Sequence, residues 1–501
     1  MAVITTDYLI VGAGTAGSVL AARLSEDPAV RVILLEAGSD SQGGAAADPH
    51  TWRSLAQTEL DWGFVTTAQS GAGERAIAYP RGKAVGGTSV INAMMHVWPQ
   101  RSDFVSWPSD ATISWTFDDL VPFLRKAEAV APDTTEATHG TTGPFRVRAE
   151  PENEFTDAAI SAFGNLRNAW VGRFPLAISD GARMTVADAY LTRDVRSRRN
   201  LSIVPDSTVT RLRFDDDKRC VGAEFSRHGA TESVVAHREV ILCAGVIGTP
   251  QLLQVSGIGA AEALTRLGVT VVVDRPEVGR NFRDHPLVIM AYPSNRPVPS
   301  EDQRVEAGAL VYSDAAQTTP DLHLFVMRND TPDGGSAVAV GVAVLRPEST
   351  GSVTIASADI VVPPLVDPGL LSAPEDLRRL QSGVELVRGL VRSGQLQPFT
   401  KFEVLPGAGS DTDEALARRL RELTGFYWHG AGTARMGTDA DAVLDPELRV
   451  NGVHALRVVD ASVMPEMVSA NTNATVLAIA ERAAHIIRHG AKVASSAAAV
   501  S

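Results

Sequence analysis

The stretch Asp7-Tyr8-Leu9-Ile10-Val11-Gly12-Ala13-Gly14-Thr15-Ala16-Gly17-Ser18 constrains the fold of this chain more than any other. An apolar run with β-branched residues feeds directly into G-x-G-x-x-G spacing, and Val19, Leu20, Arg23 and Leu24 then recur at helical spacing between Ala16 and Leu24. The pattern predicts strand, tight turn, helix. Glycines at 12, 14 and 17 let the backbone turn sharply, approach a pyrophosphate and pack helix on strand, while the helix N-terminus offers N–H donors and partial positive charge to phosphate. A second strand, Arg31 to Leu35, ends at Glu36, whose carboxylate can accept from ribose hydroxyls and repels a 2′-phosphate. The expectation is a dinucleotide with an unphosphorylated adenosine ribose. The motif alone leaves NAD and FAD both open.

At 501 residues the chain is too long for one simple core, and two domains, sequential or interleaved, are expected. Hydrophobic content of 44% and charged content of 21% are ordinary for a soluble globular protein. A net charge of -13 without a basic stripe argues against a nucleic-acid partner and leaves small neutral substrates open. Only Cys220 and Cys243 occur, and Cys243 ends the apolar run from Val240, so it reads as a small buried hydrophobe and disulfides are not expected. The chain enters its first strand without a charged n-region or long apolar h-region, and no apolar run reaches spanning length. A cytoplasmic protein with no membrane partner is the expectation.

Along the chain, Ser39 to Ala47 reads as a flexible loop, and Tyr79 to Asn92 carries too many glycines for a helix and too many small polar groups for a buried strand. This second glycine-rich stretch suggests backbone lying against a flat ligand. An amphipathic helix is expected from Trp115 to about Val130, then a Thr/Gly/Pro linker from Pro132 to Pro144. Leu201–Val204, Val209–Phe214, Cys220–Phe225 and Glu239–Cys243 read as short strands, the last meeting Ala244-Gly245 before a helix that starts at Thr249-Pro250. Pro286 to Pro364 is rich in strands without βαβ alternation, which suggests an antiparallel sheet of its own. Helical patterns follow at Pro374–Val391, Asp411–Leu423 and Ala474–His489, the last with one apolar face, and the Ala/Ser tail after Lys492 reads as disordered.

Near the C-terminus, Phe426-Tyr427-Trp428-His429-Gly430 sets one of the chain's 11 histidines after three aromatics and before a glycine-rich turn. Leu456 to Asp460 reads as a strand ending in a carboxylate, and Ser469-Ala470-Asn471-Thr472-Asn473 leads into the last helix, where Asn471 or Asn473 could serve as its cap. His485 and His489 stand four apart on that helix; with no third ligand nearby, both are expected to face solvent and no metal site is expected.

These segments together resemble the glucose-methanol-choline family of flavin oxidoreductases, from Asp7 to about His489. Gly12 to Glu36 resembles the family's opening fingerprint, and Arg81 to Asn92 resembles R-G-K-x-x-G-G-S-S-x-I-N with Thr88 at the first serine. Gly245 to Gly259 resembles the second signature, with Val246 where a small residue is usual. Val278 to Pro286 resembles V-G-x-N-L-x-D-H-P with Phe282 for leucine, and His429 to Gly437 resembles H-x-x-G-T-x-R-M-G. Trp428 and the segment Ala470-Asn471-Thr472-Asn473 are most similar to bacterial oxidases of hydroxymethylfurfural and benzylic alcohols.

The resemblance implies an α/β fold: a Rossmann-like FAD-binding domain (1–145, 191–285 and 425–490) interleaved with a substrate domain (146–190 and 286–424) built on an antiparallel sheet with helices, and a tail at 491–501. It implies FAD rather than NAD. The cofactor is expected to touch Gly12, Gly14, Thr15, Ala16, Gly17, Glu36 and Ala37 in the first unit, and Arg81, Gly82, Val85, Gly86, Gly87, Ser89, Asn92, Ala93 and Met94 in the second glycine-rich stretch. Val209, Ala244, Gly245, Trp428, Asp460, Ala461, Asn471 and Thr472 complete that set, and Met95, Phe426 and Trp428 are expected to line the substrate pocket. Members with covalent flavin carry histidine where this chain has Ile91, so non-covalent FAD is implied.

Oxidation of an alcohol requires a base for the hydroxyl proton and a hydride acceptor at the carbon. Flavin N5 is the expected acceptor, His429 the base and Asn471 the donor that holds the substrate oxygen. Primary aryl, furan or allylic alcohols are the expected substrates, with O2 reoxidising the flavin to give H2O2. Alternatives are a dehydrogenase using a quinone or other acceptor, a hydroxynitrile-lyase-like enzyme with non-redox FAD, a light-driven decarboxylase, and a flavin-binding protein without activity. No G-x-S-x-G elbow or Walker loop favours an esterase or NTPase.

Overall fold

The computed structural model describes residues 4–40, 43–109, 113–131, 139–149, 153–296, 305–330 and 335–489. The tail expected to be disordered and part of the linker from Pro132 lie outside them. The fold is a mixed α/β arrangement built on two large sheets.

The first sheet runs parallel through Leu201–Val204, Val32–Leu35, Ile4–Val11 and Ala230–Leu242, with Leu456–Val458 also parallel beside the end of Ala230–Leu242. Antiparallel strands Cys220–Arg227 and Ser207–Phe214 extend it. Its parallel centre is apolar because helices cover it, as a sheet buried on both faces requires. Register brings Val11 beside both Leu35 and Leu242, and Leu242 beside Val458. Gly12, Glu36, Cys243 and Val459 therefore leave the sheet at one edge. Such a carboxyl edge is where open α/β sheets bind ligands.

The second sheet is antiparallel, in the order Gly425–Phe426, Pro286–Pro293, Ser336–Val344, Leu322–Asp330, Val305–Val311 and Asn168–Arg173. Alternation along Leu322–Asp330 divides its side chains. Leu322, Leu324 and Val326 pack into the core that includes Leu380, Val384 and Val387 of the helix Pro374–Ser393, whereas Phe325 and Met327 join the core of the first sheet. One strand thus presents an inner wall to the half of the molecule built on the first sheet.

Three expected elements are corrected. The helix expected to reach Val130 spans Phe117–Ala127 and gives way to a strand, Glu128–Val130, pairing with Phe145–Ala149. The Glu128 side chain, 0% exposed, accepts from the Trp98 indole and the Gly140 N–H and is bonded by His96 and His139, an arrangement that pulls the chain out of helix. The helix expected to start at Thr249-Pro250 spans Gly245–Val255 with Pro250 inside. Proline has no N–H for the carbonyl of Val246 four residues back, and the Thr433 hydroxyl donates to that carbonyl instead, at 2.7 Å. The last helix, Thr472–His489, is buried on nearly every side rather than along one face. Its Glu481 (0% exposed) pairs with Arg23 and Lys126, and the Arg482 guanidinium lies 4.3 Å from the Trp115 ring. His485, expected in solvent, is half-buried beside Phe123, with ring centroids 5.9 Å apart. No described helix is long and apolar enough to cross a membrane.

Candidate active site

The two glycine-rich stretches meet at the carboxyl edge of the first sheet. Gly12 takes φ +98, and a Cβ there would stand 2.5 Å from the Cys243 carbonyl oxygen. A Cβ on Gly87, at φ +54, would stand 2.6 Å from the Gly14 Cα, and Gly86 N donates to the Ala13 carbonyl at 2.8 Å. Residues larger than glycine would push these loops apart. The helix Thr15–Leu24 begins at Gly14 with no side-chain cap and no acid in its first turn. Its first N–H groups therefore face the crevice uncompensated, a setting that suits the pyrophosphate of FAD. Thr15 Oγ1 donates to Asn473 Oδ1 at 2.7 Å, drawing the last helix to the same point.

Several expected cofactor residues use their side chains on the protein itself. Both oxygens of Glu36 accept backbone N–H groups, from Ala13 and Gly38, each at 2.8 Å, so the carboxylate braces the turn. Burial pushes its pKa up to about 7 against the opposing effect of these donors. The Asp460 carboxylate accepts from Gly245 N, Thr249 Oγ1 and Ser462 N, tying the helix Gly245–Val255 to the strand end. Ser89 Oγ accepts from Val186 N, and Asn92 Oδ1 accepts from Met94 N and Arg183 Nη1. The side-chain oxygens of Ser89, Asn92 and Asp460 are thus engaged within the protein. Ile91 packs with Ala46, Leu55, Ala84 and Val90, and no imidazole stands there.

His429 is held from several directions. Its backbone N donates to Asp284 Oδ1 at 2.9 Å, and Asp284 Oδ2 accepts from the Tyr79 hydroxyl. Its Nδ1 lies 2.9 Å from Nδ1 of His285, and its Nε2 lies 3.0 Å from Nδ2 of Asn471. The Tyr427 ring stacks on the imidazole with centroids 4.1 Å apart. Met95 Sδ is 3.7 Å from the Tyr427 hydroxyl and 3.9 Å from Asn471 Nδ2. Behind Tyr427 stand Phe325 and His323, with centroids 5.2 Å and 5.8 Å away. Burial, with the Arg81 charge acting in the same direction, holds His429 well below the ordinary imidazole pKa, and burial pushes His285 and His323 down to about 3. All three rings are neutral near pH 7. Asp284 is pushed up by burial to about 6.

The expected substrate-pocket residues divide. Met95 reaches the centre. Phe426 does not: it is 3% exposed and packs edge-on to Tyr79 in the core of the second sheet, because neighbouring strand residues point to opposite sides. Trp428 is 39% exposed, and its tie to the site is its backbone, at φ +61 with the carbonyl accepting from Arg81 Nη2 at 2.6 Å. The residues that sequence reasoning missed are Asp284, His285, His323, Phe325 and Tyr427. His285 lay in plain view in the block Val278 to Pro286, and strand alternation alone separates Tyr427 from Phe426.

Family models described as GMC oxidoreductase match residues 6–287 and 347–480. The chain is 33% identical over 527 residues to the alcohol dehydrogenase (acceptor) of Pseudomonas putida, covering 96% of this chain and 95% of that one. It is 32% identical to the choline oxidase of Arthrobacter globiformis, covering 96% and 94%. The fold matches the crystal structure of pyridoxine 4-oxidase from Mesorbium loti with TM-score 0.91 and 33% identity, covering 97% and 99% of the two chains.

Proposed function

The chain belongs to the GMC oxidoreductase family, FAD-dependent enzymes that act on alcohols, and we propose that its own reaction is the oxidation of a primary aryl, furan or allylic alcohol to the aldehyde. The observation that carries this reading is the setting of His429: a neutral imidazole under a stacked Tyr427, flanked by Met95 and faced by the amide of Asn471. His429 Nε2 receives the hydroxyl proton. Asn471 Nδ2 donates to the oxygen as negative charge develops on it. FAD, when bound, would supply the hydride acceptor, with O2 as the electron acceptor that would regenerate it. The Gly12–Gly17 turn, Glu36 and the Gly86–Gly87 backbone would hold FAD, and without a covalent bond, since Ile91 offers no nucleophile.

The aromatic wall favours a flat, uncharged alcohol over choline, which is named for one relative. A quaternary ammonium is seated by an acidic group or by open aromatic faces, and the Tyr427 ring is already stacked on His429 and on Phe325. The carboxylate bound to the His429 backbone, Asp284, already accepts from His429 N and Tyr79 Oη. Pyridoxine, named for a structural neighbour, is itself a heteroaromatic alcohol. A second reading, transfer of electrons to a carrier other than O2, draws on the name of the Pseudomonas putida relative.

Anaerobic mixing of the yellow holoprotein with benzyl or furfuryl alcohol is expected to bleach the flavin, and glucose and choline to act more slowly. Bleaching by choline ahead of the aryl alcohols would overturn the substrate class, and no bleaching by any alcohol would favour a lyase or a binding protein. Admitting air or a quinone to the reduced protein, with peroxide measured, separates oxidase from dehydrogenase. Acid precipitation is expected to leave FAD in the supernatant.

A further inference from the structure

Resting on the reading of His429 as the base, we propose that His285 is a positioning residue that holds His429 in the tautomer protonated on Nδ1, so that Nε2 keeps the lone pair that accepts from Asn471 here and takes the alcohol proton once the hydroxyl replaces the amide.

Asn471 sets the first constraint on the proton. Its amide nitrogen only donates, and at 3.0 Å from His429 Nε2 it requires a lone pair there. A neutral imidazole has a single N–H, which therefore sits on Nδ1. That nitrogen faces Nδ1 of His285 at 2.9 Å, a hydrogen bond only when one of the two nitrogens is bare. His285 must be the acceptor, with its own proton on Nε2. Around the His285 ring, the carbonyls of Val468 and Leu345 favour a protonated nitrogen, although Nε2 has no partner within hydrogen-bond geometry.

The two rings meet almost perpendicular, at 89° with centroids 5.2 Å apart, so the contact runs nitrogen to nitrogen. His285 is 0% exposed. The titratable groups around the pair are His323 from the inner wall, Tyr427 just past the strand Gly425–Phe426, Asp284 at the His429 backbone, and Arg81, whose guanidinium bonds the Trp428 carbonyl. None supplies a carboxylate to His285 that would draw a second proton onto it. Consecutive residues thus bracket the base: Asp284 fixes its backbone and His285 its ring. When His429 takes the alcohol proton on Nε2, its Nδ1–H becomes the donor of a charge-assisted bond to His285, which stabilises the imidazolium as the reaction creates it.

The test combines a spectroscopic and a kinetic arm. Long-range proton–nitrogen NMR of the holoprotein labelled with 15N-histidine, without substrate, is expected to show His429 Nδ1 protonated and Nε2 bare, with the signals assigned by their loss in His429→Asn. In His285→Leu the proton should redistribute to Nε2. In His285→Asn, whose Oδ1 stands near the lost Nδ1 as an acceptor, the parent tautomer should return. Anaerobic flavin reduction in His285→Leu should fall about 10- to 100-fold with FAD retained, its acid limb moving to lower pH, and should largely recover in His285→Asn. A parent with its proton on Nε2 would overturn the proposal. An unchanged tautomer, rate and pH profile in His285→Leu would do the same; should that variant lose FAD, the parent tautomer and the Asn variant decide. If no alcohol bleaches the parent flavin, the reading of His429 as alcohol base fails separately, and the NMR result still stands.

Discussion

Asn471 points its amide nitrogen at Nε2 of His429 across 3.0 Å, while its Oδ1, buried, makes no hydrogen bond. That orientation separates two roles that the segment before the last helix leaves open. A capping asparagine spends its oxygen on the N–H groups of the first turn; this one does not. Asn473, the other candidate, accepts from Thr15 and fastens the helix Thr15–Leu24 to the last helix.

His429→Ala is therefore expected to retain FAD and lose about 10²- to 10⁴-fold in the rate of anaerobic flavin reduction at saturating alcohol, the usual yield of a positioned base. Asn471→Ala should lose less, since one neutral hydrogen bond is removed. Stopped-flow absorbance of the flavin reads both. An undiminished rate in His429→Ala would take the base away from that residue.

The pH profile of the same rate should rise through an ionisation below the ordinary imidazole range, because burial holds His429 well below 6.5. The sequence alone suggests a limb near the ordinary imidazole value, and the structure moves it toward acid. A limb at or above 6.5 that disappears in His429→Ala would contradict the assigned environment.

His323 tests the fold through acid stability. The unfolded chain protonates this ring near its ordinary 6.5, whereas the folded chain resists until about 3. Its contribution is thus whole above 6.5 and declines as pH falls from there toward 3, by about 1.4 kcal/mol per pH unit. Both ring nitrogens lack partners, so His323→Leu removes no hydrogen bond. The variant should match or exceed the parent Tm at pH 7 and lose less of it by pH 4. A steeper acid decline than the parent's would show that the ring is charged or bonded in the fold.

Glu36→Ala should weaken FAD binding and also lower the Tm of the apoprotein, since the N–H groups of Ala13 and Gly38 lose their acceptor at about 1–3 kcal/mol each. Titration calorimetry and apoprotein melting separate the two effects. Glu36→Gln, which keeps one acceptor oxygen, should fall between; an apoprotein Tm unaffected by Glu36→Ala would remove the bracing role.

Thr433→Val should cost about 1–3 kcal/mol by leaving the Val246 carbonyl buried without a donor. Pro250→Ala restores an N–H four residues along the helix, so the double variant should recover much of that loss. Denaturant unfolding around this cycle gives the coupling, and strict additivity would mean that the hydroxyl and the proline act independently.

Local sterics explain what the sequence by itself determined. The strand–turn–helix at Gly12 to Leu24 was legible because only glycine fits φ +98 against the Cys243 carbonyl, and because the apolar periods of neighbouring segments differ. The second glycine-rich stretch, the separate antiparallel sheet and His429 could be read in the same way. What sequence could not supply were the partners brought together by sheet register. His285 meets His429 across 144 positions of chain, and Tyr427 rather than Phe426 faces the imidazole because of how Gly425–Phe426 pairs with Pro286–Pro293. Two helix ends were misplaced for a related reason: Glu128 and Val246 find their hydrogen-bond partners on distant segments. The charge state of the base was equally hidden, since a histidine's proton affinity depends on burial and on its neighbours, and both exist only once the two sheets have closed around it.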